Sequence, residues 1–98
     1  MKKMVVAFDV VGTLIDGFDF NKPRSHMIDL YRGFRKMNNV ELIVWSSDIT
    51  LAREVTSKYR LEPDHILDKA SINKKIADIA FDDCPDSISA KADKVFRV

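Results

Sequence analysis

Apolar and polar positions along this chain follow two different periods. Met4 to Phe8 is an unbroken apolar run of five residues, short and bounded, which predicts a strand buried on both faces of a parallel sheet. It stops at Asp9, and Gly12-Thr13 follow as turn chemistry. Val40 to Trp45 is a second such run, rich in β-branched residues and closed by Ser46-Ser47-Asp48. After a break at Pro63, His65-Ile66-Leu67 predicts a short third strand, Ile76 to Phe81 a fourth that ends in Asp82-Asp83, and Lys94 to Val98 a fifth. Between the first two runs the period changes. Met27, Leu30, Tyr31, Phe34 and Met37 recur at helical spacing after Pro23, opposite Arg24, Arg32, Arg35 and Lys36. The spacing predicts a helix with this stripe in the core and its basic side in water. Leu51, Val55 and Tyr59 predict a second helix, with Ser or Asp as its cap. Ile15 to Asn21 reads as a polar-aromatic loop, Ser71 to Lys75 as one helical turn, and Pro85 as the start of a short helix carrying Ile88 and Ala92.

Strands alternating with helices predict an α/β fold, three-layered, with a mostly parallel five-stranded sheet and right-handed crossovers. Ninety-eight residues set one domain over 1–98, complete with its fifth strand and with no room for a second core. Apolar residues at 46% and charged residues at 32% describe an ordinary globular chain, and a net charge of +1 gives no electrostatic footprint for nucleic acid. Lys2-Lys3 ahead of an apolar run superficially resembles a signal peptide, but Asp9 interrupts that run too early, and no stretch has membrane-spanning length. A single cysteine, Cys84, excludes an internal disulfide, fits a reducing cytoplasmic location, and reads as small buried filler.

The chemistry gathers at the predicted strand ends: Asp9, Ser46, Lys69 and Asp82-Asp83. In an open parallel sheet these ends lie along one edge and converge on one crevice. A carboxylate nucleophile, a hydroxyl near a helix N-terminus, a lysine and a pair of acids for a hard cation are the inventory of phosphoryl transfer. His26 has no evident partner in the pattern and carries no role.

Asp9-Val10-Val11-Gly12-Thr13-Leu14 resembles the first motif of the haloacid dehalogenase superfamily, Asp-x-Asp-Gly-Thr-Leu, with its second acid replaced by Val11. Leu42-Ile43-Val44-Trp45-Ser46 is similar to the second motif, and Ile79-Ala80-Phe81-Asp82-Asp83 to the fourth. Lys69 is the best match for the motif lysine, with Lys74 and Lys75 as rivals. The resemblance covers essentially the whole chain and implies a small member without a large cap. It implies Asp9, Ser46 and Lys69 as catalytic, and Gly12, Thr13, Ser46, Ser47 and Lys69 around the phosphate. It also implies Mg²⁺ held by Asp9, the Val11 carbonyl, Asp82 and Asp83. A member without a cap has an open crevice, suited to a phosphorylated macromolecule or to closure by another subunit. Phe18 and Phe20 read equally as a small flap or as filler of the sheet edge.

In that family the acid at position 11 protonates the leaving oxygen and then activates water against the acyl phosphate; Val11 keeps only the carbonyl. General acid–base help is typically worth about 10²–10⁴-fold, so alkyl esters suffer most and aryl phosphates or anhydrides least. Dehalogenating and phosphonate-cleaving branches also lack that acid, but they carry caps, and the acid pair at 82–83 is built for a cation. Two readings stand: an Mg²⁺-dependent phosphatase or phosphotransferase with an aspartyl-phosphate intermediate at Asp9, or an impaired domain that binds a phosphorylated ligand or partner. A receiver-type signalling domain shares the inventory, but not the order in which the chain presents it.

Overall fold

A computed structural model describes residues 3–98 of the chain; Lys2, half of the basic pair ahead of the first strand, lies outside them. The apolar run at the start forms β1 (Met4–Asp9). Its side chains alternate between two faces as the pleat requires. The run at 40–46 forms β4 (Val40–Ser46), paired with β1 in parallel from Met4↔Val40 to Asp9↔Trp45. Two further strands, β5 (His65–Asp68) and β6 (Ala77–Asp82), and the last strand, β7 (Ala92–Arg97), complete a sheet of order β5-β4-β1-β6-β7 in which every pairing is parallel. The fourth and fifth strands sit one or two residues from their expected bounds.

Two α-helices, α1 (Ser25–Arg35) and α2 (Ile49–Lys58), pack on one face. There Val6, Phe8, Leu42 and Val44 of the sheet meet Met27, Ile28 and Tyr31 of α1 and Leu51, Ala52 and Val55 of α2. The N-cap of α2 is Asp48, whose side chain accepts from Leu51 N at 3.0 Å. The other face carries Ala7, Ile43, Trp45, Ala77, Ala80 and Ala92, closed by Ile88 on a 3₁₀ turn, Pro85–Ile88. Chain reversal at the centre of the sheet, together with right-handed crossovers, sends the first two connections to one face and the last two to the other. Those last two connections are too short for α-helices, so the expected third layer is thin. The alanines let a single turn lie close against the sheet.

Four expectations change. The loop at 15–21 is a small antiparallel hairpin, β2 (Ile15–Asp16) and β3 (Asp19–Pro23), closed by Gly17 at φ +57°. Asp16-Gly17 is a hairpin signal, masked here by strands with no apolar alternation. The turn expected at 71–75 forms earlier, at Lys69–Ser71, because Asp68 caps it, accepting from Ala70 N at 3.0 Å and Ser71 Oγ at 3.1 Å. Ala92 belongs to β7, not to the short helix at Pro85. On α1, Met27 and Tyr31 are buried but Leu30 is exposed, and Met37 lies beyond the end of the helix and is exposed too. The sheet touches only a narrow side of that helix.

Met27→Ala should therefore cost about 2–5 kcal/mol in urea unfolding, and Leu30→Ala should stay within roughly 0.5 kcal/mol of the wild type. Equal losses at both positions would contradict the placement of α1.

Candidate active site

Strand register assembles the site. Phe8 pairs with Phe81, so one step further along the chain Asp9 lies beside Asp82. Asp9 pairs with Trp45, Ser46 follows Trp45 and pairs with Asp68, and Lys69 comes next. All of these groups stand at carboxyl ends of parallel strands, where the chain reverses direction between β1 and β6 and the crossovers leave a crevice. That crevice, of about 240 Å³, is lined by Asp9, Val11, Ser46, Lys69, Asp82 and Asp83, with Phe18, Ser47, Asp48 and Cys84 around them.

Lys69 Nζ donates to Asp9 Oδ1 and to Asp82 Oδ2, both at 3.1 Å. Asp9 and Asp82 are buried and the lysine side chain is 14% exposed, so the three charges meet with little water between them. Asp82 Oδ1 also accepts from Cys84 N at 2.7 Å. Asp83 is exposed and joins Asp9 and Asp82 in a group whose nearest carboxylate oxygens all lie within 4.8 Å of one another. Burial, and then the charge of Asp82, push the Asp9 carboxyl up to about 7, against the pull of Lys69. Burial also raises Asp82. Lys69 loses stability as an ion through burial, but Asp9 and Asp82 outweigh that loss and raise it.

Gly12 adopts φ +76°, and a Cβ there would stand 2.2 Å from Asp83 Oδ2. Glycine thus serves both the turn and the close approach of the acid. Its carbonyl accepts from the Arg24 guanidinium, which corrects the reading of Arg24 as merely part of a solvated basic side. Thr13 is fully buried, and its hydroxyl donates to Asp9 Oδ2 at 3.4 Å. Neither Gly12 nor Thr13 is among the residues that line the crevice, and the Thr13 hydroxyl supports the Asp9 carboxylate. Ser46 Oγ accepts from Asp48 N at 3.0 Å, which leaves its hydroxyl proton to offer to a ligand. Lys75 pairs with Asp93 at 2.6 Å on the surface, and exposed Lys74 lies outside the crevice lining, so Lys69 is the lysine that meets the carboxylates.

Cys84 is exposed at the crevice, not buried filler, because the chain turns outward after Asp82 to enter the 3₁₀ turn. Of the two hairpin aromatics, Phe20 packs against the core, while Phe18 is 75% exposed and lines the crevice. Asp48 was legible as a cap, but not as a second group on the crevice wall. No helix among the described residues is long and apolar enough to cross a membrane. Compared with family models, curated proteins and solved structures, the chain matches none of them.

An acid whose folded-state value lies above its unfolded one stabilises the fold fully only below the unfolded value, and that contribution is lost as pH rises through the folded value. For Asp9 the window runs from 3.8 to about 7. In EDTA the wild type should lose stability as pH rises from 4 to 8. Asp9→Asn should raise the melting temperature, and by more at pH 8 than at pH 5. An equal shift at both pH values would show that Asp9 is not held protonated by its surroundings.

Proposed function

We propose that this chain is a phosphotransfer enzyme of the haloacid dehalogenase type, a hydrolase without a large cap, in which Asp9 attacks phosphorus. The observation that carries the reading is Asp9 itself: a buried carboxylate at the end of the central strand, bridged by Lys69 to Asp82 and open to a crevice. The sheet order, renumbered along the five strands as 3-2-1-4-5, is that of a doubly wound Rossmann-like fold, which supports the same assignment. In the reaction a carboxylate oxygen of Asp9 bonds to phosphorus as the bond to the leaving oxygen breaks. Water then cleaves the aspartyl phosphate. Asp9 must be ionised to attack, and the ammonium of Lys69 favours that form.

The donor set fits Mg²⁺. Asp9, Asp82 and Asp83 gather carboxylate oxygens around one ammonium, an acid-rich group that a cation would offset, and hard oxygen donors suit that ion. Asp9, Asp82 and Asp83, with the Val11 carbonyl, would hold it. When bound, it would offset the phosphate charge. Ser46, Ser47 and Lys69 then bind and orient the phosphate oxygens. The open crevice suits a phosphorylated macromolecule or closure by another subunit, and a cytoplasmic location fits the lone cysteine.

A second reading, a binding domain for a phosphorylated ligand, is favoured by Val11. This half-buried residue lines the crevice where the family places its acid, and it packs against the core. The two readings share the metal site and differ in turnover.

Calorimetry should show Mg²⁺ binding to the wild type and at least a tenfold loss in Asp82→Asn with Asp83→Asn; equal binding by both proteins would refute the site.

Wild type should accumulate phosphoenzyme from p-nitrophenyl phosphate, and Asp9→Asn should form none. Val11→Asp, if folded, should speed turnover, more for alkyl than for aryl esters, within the range of about 10²–10⁴-fold that an acid–base group supplies. A folded, Mg²⁺-binding Val11→Asp protein as slow as the wild type on every ester would make the binding-domain reading the better one.

A further inference from the structure

Seven of the ten residues that line the crevice are polar or charged; of the other three, Val11 and Phe18 come from the segment that follows β1, and Cys84 from the turn after β6. The hairpin places Phe18 there. Asp16 pairs with Asp19, so Gly17 and Phe18 are the two central residues of its turn, and Gly17 at φ +57° takes the position that needs a positive dihedral. Phe18 is left pointing off the turn, 75% exposed.

The hairpin beneath it is tied down. Phe20 packs on the first core, and its carbonyl accepts from Tyr59 Oη at 2.5 Å. Lys58 Nζ donates to Asn21 Oδ1 at 2.8 Å and stands 5.3 Å from the Phe20 ring centre. Arg24 N donates to Leu14 O at 2.9 Å, and the Arg24 side chain reaches Gly12 O. These contacts join the hairpin to the C-terminal end of α2 and to the Gly12 turn, so Phe18 is presented at the crevice by an anchored element. A large apolar side chain held in water at the mouth of a charged crevice gains by being covered.

Resting on the reading of Asp9 as the phosphoryl acceptor, we propose that Phe18 and Val11 form an apolar half-site for the leaving group, and that the substrates are phosphate monoesters of phenols. An aromatic leaving group can meet the Phe18 ring in the offset or edge-on arrangements that aromatic pairs favour. Val11 offers it an apolar wall where a carboxylate would demand solvation. A phenolate also departs with less need of a proton than an alkoxide does, so one substitution, Val11, accounts for both the missing acid and the preference. In the transfer the Asp9 oxygen–phosphorus bond forms, the phosphorus–phenolic oxygen bond breaks, and the phenolate takes the electron pair and then a proton from water.

The test is binding of inert phosphonates in the presence of Mg²⁺, followed by calorimetry. Phenylphosphonate should bind the wild type about three- to tenfold more tightly than methylphosphonate, the range expected of one aromatic contact. Phe18→Ser should remove that preference without weakening methylphosphonate, and Phe18→Tyr should keep it. A peptide carrying a phosphonate analogue of phosphotyrosine is the further arm. Tighter binding than phenylphosphonate assigns the phenol to a protein side chain, and equal binding assigns it to a small molecule. If both simple phosphonates bind the wild type equally, or the preference survives Phe18→Ser, the half-site is overturned and the proposed function stands. If neither binds, both fall together.

Discussion

One ammonium group holds the carboxyl ends of two neighbouring strands of this sheet together. Lys69 Nζ lies 3.1 Å from a carboxylate of β1 and 3.1 Å from one of β6. Without it, two buried acids on neighbouring strands would face each other across a few ångströms. Breaking a buried charge cluster by removing one partner is costly because the rest is left uncompensated. The turn that carries Lys69 is therefore tied to the ends of β1 and β6. Burial, and then the charge of Asp82, still leave Asp9 raised to about 7 against the pull of this lysine.

The same economy runs through the turn after β1. Gly12 admits Asp83 where any side chain would collide with it, and its carbonyl receives Arg24. Thr13 turns inward to Asp9. Thr13 thus supports the Asp9 carboxylate, while Val11 and Phe18 line the crevice. The hairpin is small and poor in apolar alternation, and its position is set by tertiary partners: Tyr59, Lys58 and the core contact of Phe20. Phe20 anchors the hairpin on the core, while Phe18 stays exposed at the crevice.

The two faces of the sheet are unequal for a chain-length reason. Connections of full helical length cover one face with α1 and α2, whereas the shorter ones after β5 and β6 leave single 3₁₀ turns. Alanine at positions 7, 77, 80 and 92 suits that thin cover, since a turn needs closer approach than a helix does. Trp45, fully buried on this face, supplies the bulk that the alanines lack.

What the sequence determined by itself was periodic. Buried parallel strands read as unbroken apolar runs, and their ends read as the first polar residue after each run. The five strands of the main sheet and the positions of Asp9, Ser46 and Asp82 were therefore legible from spacing alone. Side-chain direction was not. Whether Thr13 faces a ligand or Asp9, whether Cys84 is covered, which lysine reaches the acids, and which of Phe18 and Phe20 is anchored depend on contacts between segments far apart in the chain. Leu30 makes the same point on α1. Helical spacing says which residues share a stripe, but only the width of the sheet beneath decides how much of that stripe is buried.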